Sequence, residues 1–273
     1  MPINDTWARD HGAITVETDN GYAIYDFMFN GWGLKFAADK DNLITGNLWK
    51  QGVFQASSLV IPDLVLEGGS IESDGKGTVL TTSNCLLSPN RNPHFSRAEI
   101  EQKIKDLFGL QRLLWLESGH LEGDDTDAHI DTVARFCDEH TIAYVQCTDE
   151  QEVHYESLRN MEAELQQFRT ADKEPYRLIP LPMADAVYAQ DDQRRLPATY
   201  ANFLIMNEVV LMPTYGLPQD ELAIAQLQQA YADRKVIGVD CRALLLQHGS
   251  LHCITMQYPK GSICFDTLKT LNQ

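Results

Sequence analysis

The sequence predicts an α/β protein in which several small sheets alternate with amphipathic helices. Short runs rich in β-branched and aromatic residues recur along the chain and are separated by Gly, Asn and Asp, which is typical of strands. Three longer stretches repeat their apolar residues at helical spacing. Because the strand-like runs come in pairs that look hairpin-connected, several small sheets fit this pattern better than one doubly wound sheet.

The first third of the chain is predicted to be mostly strand. The strand-like runs there are residues 13–16, 22–29, 64–67 and 78–82. The first clear helix is predicted to begin after Ser96, because Ser96 and Glu99 form a capping box and an apolar helical stripe follows them.

The rest of the chain continues the alternation. We predict strands at 113–116, 130–136, 142–146, 176–181, 201–205, 209–212, 236–239 and about 252–257, and helices at about 150–168 and 219–231. The order strand, strand, helix, strand therefore occurs two to three times without sequence identity, which predicts a structural repeat. The polar stretch 185–195 is interpreted as a loop, either simply solvated or lying over a site.

Composition narrows the class of protein. The chain has 273 residues, 44% of them hydrophobic, and a formal net charge of −17, which fit a folded protein of one or two domains. The acidic surplus argues against nucleic-acid binding, which depends on Lys and Arg, and favours a small cationic ligand. There is no apolar run of ~18 residues and no secretory signal at the start, and the six cysteines are scattered. We therefore expect a reduced, cytoplasmic protein that does not bind a membrane.

Cys253 is the candidate nucleophile. It lies where a small, flexible stretch containing Gly249 and Ser250 meets an apolar run, so its thiol can be exposed while its backbone is held. The alternative is an ordinary buried cysteine, the usual state of this residue type. A nearby cation, including a bound substrate, would favour the reactive thiolate.

His129 and Asp131 are the candidate acid–base pair. They lie two residues apart at the start of a predicted strand, so their side chains are expected to face the same side. The histidine could move protons while the carboxylate binds or orients a ligand. An ordinary surface pair is the alternative, and a metal site is disfavoured because no third ligand lies at a suitable spacing.

Three further residues could complete a pocket. Trp7 and Asp10 lie three apart and would supply an apolar face and a carboxylate, while Glu67 ends a predicted strand before Gly68 and Gly69. The two glycines have no phosphate-loop context, and a tight turn is their simplest interpretation. Acids around a thiol suit a cationic electrophile, and paired carboxylates can hold a planar guanidinium while its central carbon stays open to attack.

Five segments resemble the agmatine deiminases and the related bacterial peptidyl-arginine deiminases. These segments, in chain order, are residues 4–12, 66–70, 81–93, 124–136 and 249–257. The resemblance covers nearly the whole chain and implies one catalytic domain, 1–273, with the five-fold pseudosymmetric α/β-propeller, or pentein, fold. Members of this family usually carry several dozen residues before the Trp-x-Arg-Asp motif, so the N-terminal part of the first repeat is expected to be missing here.

The resemblance also implies a role for each matching residue. Cys253 matches the nucleophile, His129 the general acid/base, Asp10 and Asp131 the guanidinium-binding carboxylates, and Glu67 an acid beside the histidine or substrate. Trp7 matches a pocket-lining aromatic, and Asn202 lies in a further family-like stretch and is expected to contact substrate. One departure is Ala128, since the family commonly has glycine before the catalytic histidine.

The implied reaction is hydrolytic deimination. The thiolate would attack the guanidinium carbon, ammonia would leave, and water would hydrolyse the resulting thiouronium to a ureido product. Agmatine, giving N-carbamoylputrescine for putrescine biosynthesis, is the expected substrate. No metal or cofactor is implied, and the resemblance leaves a homodimer open.

Two alternatives remain at this point. A peptidyl-arginine or free-arginine deiminase would need a cation for a substrate carboxylate, for which Arg135, Arg194 and Arg195 are candidates. A protein that only binds guanidinium compounds or polyamines is the other alternative, although the presence of Cys253 together with His129 argues against it.

Overall fold

A computed structural model describes residues 1–271 and has a mixed α/β fold. The strands are β1 (Ile14–Thr18), β2 (Gly21–Tyr25), β3 (Ser58–Val60), β4 (Ile71–Ser73), β5 (Thr78–Thr82), β6 (Arg112–Leu116), β7 (Ala134–Asp138), β8 (Thr141–Gln146), β9 (Arg177–Pro182), β10 (Val187–Tyr188), β11 (Arg195–Leu196), β12 (Leu204–Ile205), β13 (Val209–Thr214) and β14 (Lys235–Asp240). The helices are α1 (Ala8–His11), α2 (Gly31–Leu34), α3 (Ile44–Lys50), α4 (Ser83–Leu86), α5 (Arg97–Phe108), α6 (Tyr155–Gln167), α7 (Asp220–Gln228), α8 (Arg242–Leu245) and α9 (Phe265–Leu271). No helix within residues 1–271 combines the length and apolar character needed to cross a membrane.

Within residues 1–271, one supersecondary pattern occurs four times. The sheets β1-β2-β3, β4-β5-β6, β7-β8-β9 and β12-β13-β14 each contain an antiparallel hairpin whose second strand pairs in parallel with the third strand. A helical segment links the second strand to the third in every case, because a parallel pair needs a crossover connection. The predicted repeat is therefore confirmed, with more copies than the sequence indicated.

The strong local signals were reliable. Strand 78–82 was predicted with its observed bounds, and Ser96 and Glu99 form the predicted capping box at the start of α5. The buried stripes of α5 and α6 pack into two apolar clusters that hold the sheets together. The polar stretch 185–195 contains the short hairpin β10–β11 rather than a plain loop.

The prediction of a strand at 64–67 was wrong. Only Val65 forms an isolated bridge, to Met28. The side chain of Asn92 accepts a hydrogen bond from Val65 N and donates one to Val65 O, both at 2.9 Å. These bonds occupy the backbone groups that a strand partner would need. The segment instead ends in a short 3₁₀ turn, Gly68–Ser70.

The last predicted strand, 252–257, is also absent. This segment folds as consecutive turns, in which Thr255 N donates to His252 O at 3.1 Å. The carbonyl oxygen of the Asn202 side chain accepts from His252 N at 2.8 Å and from Cys253 N at 3.3 Å. A side chain from a distant segment therefore replaces the ladder that a strand would have formed.

The strand at 130–136 begins later than predicted. Residues Ile130–Thr132 form a 3₁₀ turn, and β7 starts only at Ala134. His129 and Asp131 therefore lie on the turn before the strand, and both are buried. The predicted strand at 201–205 is likewise shorter, since only Leu204–Ile205 pairs.

Candidate active site

Three of the predicted site residues line one pocket. A cavity of about 310 Å³ is lined by Trp7, Asp10 and Cys253 together with other aromatic, polar and acidic side chains. These three residues come from the two ends of the chain, and the backbone N of Arg9 donates to the Cys253 carbonyl at 3.0 Å. The fold therefore joins the first and last sequence motifs.

Four buried ionisable side chains that do not line the pocket, those of His129, Glu67, Asp131 and His252, form a group with Asp10. His129 Nδ1 is 3.6 Å from Asp10 Oδ1, and His129 Nε2 is 3.7 Å from Glu67 Oε2. Asp131 is fully buried, and its Oδ2 lies 2.7 Å from His252 Nδ1. Within residues 1–271, Asp131 Oδ1 has no hydrogen-bond partner, so one carboxylate oxygen is available for a ligand.

Gly69 is the point around which these groups gather. A Cβ built on Gly69 would lie 2.5 Å from His129 Nδ1, 2.9 Å from Asp10 Oδ1 and 3.2 Å from Asp131 Oδ1. Gly69 N also donates to Asp10 Oδ1 at 2.9 Å. The absence of a side chain at this position therefore allows the histidine and the two carboxylates to approach one another.

Asn202 holds the backbone beneath the thiol. Its Oδ1 is 3.4 Å from Cys253 Sγ, and its Nδ2 donates to the Asp131 carbonyl at 3.2 Å. Asn202 is fully buried and does not line the pocket. This side chain therefore connects the segments that carry Cys253 and Asp131, and contact of Asn202 with a ligand stays a prediction.

Burial dominates the protonation of the Asp10 and Asp131 carboxyls. It raises the pKa of Asp10, and it raises the pKa of Asp131 to about 7. Burial also raises the pKa of the Cys253 thiol, and the neighbouring Asp131 and Asp10 carboxylates raise it further. The thiol is therefore protonated at neutral pH when the pocket holds no cation.

The pKa values of His129 and Glu67 are shifted in opposite directions. Burial opposes a charged imidazole, but Asp10, Cys85 and Glu67 outweigh it and raise the pKa of His129 well above its usual value. Burial would raise the pKa of Glu67, but its contacts with His129 and Arg91 hold that pKa below the usual range. At neutral pH the pair is an imidazolium beside a carboxylate, so His129 can donate a proton.

Trp32 is a pocket residue that the sequence analysis missed. Its Nε1 donates to Asp10 Oδ2 at 2.9 Å, and its ring packs edge-on against Phe29 and Phe36. Trp32 lies in a turn with φ of 56°, a conformation rare outside glycine. The signal in the sequence that could have identified Trp32 is its position between Gly31 and Gly33, which indicates an unusual backbone conformation.

Arg91 was missed as well. Its buried guanidinium contacts both oxygens of Glu67, at 3.0 and 2.8 Å, and also contacts Asp127. Cys85 lies in the same cluster, with Sγ 3.9 Å from Glu67 Oε2. All six cysteines of the chain are free thiols.

Ala128, which departs from the family pattern, affects the backbone rather than the pocket wall. Its methyl group does not line the pocket, but its φ is +67° and that of Asp127 is +65°. Glycine adopts this conformation freely, whereas alanine is strained in it. The strain therefore lies in the backbone directly before His129.

Comparisons with known proteins identify the family of this chain. A sequence model of the family described as Porphyromonas-type peptidyl-arginine deiminase matches residues 1–259. The chain belongs to this family. A Marinomonas sp. (strain MWYL1) protein, named as a proposed agmatine deiminase, is 34% identical over 281 residues, which cover 95% of this chain and 75% of that protein.

Solved structures from the family are closely similar. A Porphyromonas gingivalis structure, described as a proposed arginine deiminase, is 54% identical with a TM-score of 0.94 and covers 97% of this chain and 78% of that one. A Cys-to-Ser variant of C. jejuni agmatine deiminase with substrate bound is 44% identical with a TM-score of 0.86, covering 92% and 73%. The mixed α/β fold thus matches pentein-type structures.

Proposed function

We propose that this chain hydrolyses a guanidino group and that agmatine is its substrate, giving N-carbamoylputrescine and ammonia. The observation that carries the proposal is a pocket with an aromatic and acidic wall that is lined by the Cys253 thiol and the Asp10 carboxylate. The His129 imidazole and the Asp131 carboxylate are buried beside Asp10, where all three groups gather around Gly69. A flat cation fits such a pocket because carboxylates bind its N–H groups and aromatic rings cover its faces.

Asp10 and Asp131 are proposed to bind the guanidinium. Asp10 is oriented by the Gly69 amide and the Trp32 indole, and Asp131 by His252. Burial lowers the pKa of His252 well below its usual value, and Arg135 and Arg9 lower it further. A neutral His252 donates a hydrogen bond to Asp131 without adding a positive charge. The negative charges of Asp10 and Asp131 are therefore left to pair with the cation of the substrate.

Binding of the cation is proposed to activate the nucleophile. The two carboxylates that raise the pKa of Cys253 are neutralised by the guanidinium, which also attracts a thiolate directly. On binding of the cation the Cys253 thiol releases its proton to solvent, because His129 is already protonated. The thiolate then forms a bond to the central carbon, giving a tetrahedral intermediate. The thiol thereby becomes nucleophilic only when a substrate of the right charge is present.

His129 is proposed to move the protons. It protonates the leaving nitrogen, the C–N bond breaks, ammonia departs and a thiouronium on Cys253 remains. His129, now neutral, takes a proton from water, which attacks the same carbon. The C–S bond then breaks, which regenerates Cys253 and releases the ureido product. Glu67 is proposed to hold the imidazole and its charge, and no metal or cofactor takes part.

The pocket wall favours agmatine over arginine. Asp5 and Asp125 line it, and no Lys or Arg does so among the residues that the structure describes. Arg135 instead pairs with Glu72, and Arg195 pairs with Glu152 at 2.7 Å. Agmatine presents an ammonium at its far end, which two carboxylates attract, whereas free arginine also presents a carboxylate.

One observation favours the second candidate, a peptidyl-arginine or free-arginine deiminase. Arg194 Nη2 lies 2.6 Å from Nε2 of His248, which lines the pocket, so one guanidinium is close to the mouth. The third alternative, a protein that binds guanidinium compounds or polyamines without turnover, has no such support, because Cys253 and His129 both lie in the site.

A substrate panel tests the assignment. Agmatine, arginine and an arginyl peptide are incubated with the protein and with its Arg194→Gln variant, and ureido product is measured. We expect turnover of agmatine in both proteins. Turnover of arginine or peptide alone, lost in Arg194→Gln, would identify the second candidate. Tight agmatine binding without product would identify the third.

Substrate affinity is expected to depend on the ionisation of Asp131. Its pKa is raised to about 7, so the carboxyl is charged above that pH and neutral below it. A cation binds the charged form, so kcat/KM for agmatine should fall roughly tenfold for each pH unit below about 7, and binding near pH 7 should release protons. Calorimetry in buffers of different ionisation enthalpy measures that release, with Cys253→Ala as the protein because this variant is expected to bind agmatine without hydrolysing it. Equal binding enthalpies in all buffers would contradict the role of Asp131.

Some broader assignments are proposals as well. We propose that the four observed repeats belong to a five-bladed propeller, because all four share one strand order and pairing pattern. We also propose that the chain forms one catalytic domain and acts in the cytoplasm in putrescine biosynthesis, without nucleic-acid or membrane partners. A homodimer remains the proposed assembly to test by light scattering.

A further inference from the structure

A chain of buried and partly buried ion pairs runs from the pocket wall to the catalytic histidine. Lys35 Nζ lies 2.6 Å from Asp127 Oδ1, and Asp127 Oδ2 lies 2.6 Å from Arg91 Nη1. Arg91 Nε in turn contacts Glu67 Oε2 at 2.8 Å, and that same oxygen is 3.7 Å from His129 Nε2. The proposed reaction uses only the last two members of this chain.

Every nitrogen of the Arg91 guanidinium has a partner. Nε contacts both oxygens of Glu67, Nη1 contacts Asp127, and Nη2 donates to the Thr126 carbonyl at 2.8 Å. The side chain of Arg91 is fully buried. A planar fork with fixed donors suits this three-way contact, and a lysine could make only part of it.

The contacted backbone needs such support. Asp127 and Ala128, which directly precede His129, both have positive φ. The segment is fixed from several sides, since Thr82 Oγ1 donates to Ala128 O at 2.6 Å and Ala128 N donates to Asp124 Oδ2 at 2.8 Å. Arg91 contacts this segment and also the Glu67 carboxylate beside the His129 imidazole.

We propose that Arg91 is a positioning residue that clamps the strained segment 126–128 and fixes Glu67 against His129, with Asp127 and Lys35 linking this clamp to the pocket wall. The wall segment involved carries Trp32 and Phe36, and Lys35 also donates to the Asp125 carbonyl at 2.7 Å. The inference rests on the proposed function for the role of His129. It assigns a task to three charged residues that touch no reacting atom.

Electrostatics predict the direction in which each substitution should shift the pKa of His129. The charged and titratable groups that act on His129 and Glu67 are Asp10, Asp131, Cys85, Cys253, Arg91 and His252. Asp127 is joined to them through Arg91, and Arg9 and Arg135 act on Asp131. Removing a nearby positive charge raises the proton affinity of the Glu67–His129 pair, and removing a negative charge lowers it. Bound guanidinium keeps Asp131 ionised, so the pH dependence of kcat reports this pair rather than Asp131.

The experiment compares Arg91→Met, Arg91→Lys and Asp127→Asn with the wild type and with Arg242→Lys. Arg242 is exposed and pairs with Asp240 outside the site, so it is the matched control. The kcat and KM for agmatine are measured against pH. The titration of His129 is followed by NMR of histidine-labelled protein without substrate, with His129→Gln to assign its signal.

We expect Arg91→Met to lower kcat at least ~10-fold with KM within about threefold, and to raise the His129 midpoint by about one pH unit or more. Arg91→Lys should keep the midpoint near that of the wild type and recover part of kcat. Asp127→Asn should move the midpoint down, and Arg242→Lys should match the wild type.

A purely structural role predicts a lower melting temperature with unshifted midpoints, and this result would overturn the proposal. Wild-type kcat in Arg91→Met would overturn it too. If Arg91→Met fails to fold, the other two variants test the proposal. An unshifted His129 midpoint in Asp127→Asn together with a wild-type kcat in Arg91→Lys would contradict the clamp. Because the titration needs no turnover, expected shifts in an enzyme inactive on every guanidino substrate would refute the proposed function alone.

Discussion

Replacing Cys253 with alanine is expected to lower kcat for agmatine by at least ~10⁴-fold while leaving substrate binding intact. The sulfur is the group proposed to form the covalent intermediate, and within residues 1–271 the pocket is lined by no second cysteine. The carboxylates proposed to bind the cation remain in Cys253→Ala. Calorimetry should therefore give a dissociation constant within about tenfold of the wild-type KM.

The matched control for this variant is Cys264→Ala, since Cys264 is partly exposed but lies outside the pocket. It should keep full activity. A haloacetamidine should label Cys253 once in the wild type and in Cys264→Ala, and not at all in Cys253→Ala, as read by mass spectrometry. Persistent turnover in Cys253→Ala, or labelling at Cys85 or Cys241, would refute the assignment of the nucleophile.

Replacing Gly69 with alanine is expected to lower kcat/KM by at least ~10²-fold, because displacement of catalytic groups by about 1 Å has effects of this size. The new methyl would lie 2.5 Å from His129 Nδ1 and 2.9 Å from Asp10 Oδ1, so both side chains must move. The φ of Gly69 is not in the left-handed region, and alanine can adopt this backbone. The loss should therefore come from the displaced catalytic groups, with destabilisation of about 1–3 kcal/mol from overpacking.

Gly46→Ala is the control for this second prediction. Gly46 lies in α3, and a Cβ there would meet only Asp26 Oδ2, at 3.9 Å. This variant should keep wild-type activity and equal or slightly higher stability, because alanine favours helix. Both enzymes are assayed well below their melting temperatures. Wild-type kcat/KM in Gly69→Ala would show that the crowding around Gly69 is not needed for catalysis.

Local signals in the sequence were sufficient for the elements that depend on local physics. The capping box at Ser96, the buried stripe of α6 and the all-buried strand 78–82 were predicted because propensity, capping and periodicity agree there. The strand predictions for segments 64–67 and 252–257 were wrong for a shared reason. In both, the side chain of a distant asparagine binds backbone groups, and no local pattern reveals such a bond.

For the candidate site, too, local sequence and tertiary structure supplied different information. The sequence by itself determined which residue types could react, because the motifs have recognisable chemistry; these residues are Cys253, His129, Asp10, Asp131 and Glu67. Only the tertiary structure decided their environment. Trp32, Arg91 and Gly69 act through contacts between segments far apart in the chain, and burial sets the protonation of the carboxyls and the thiol. Burial and charge proximity are properties of packing in three dimensions, so no sequence spacing could have given them.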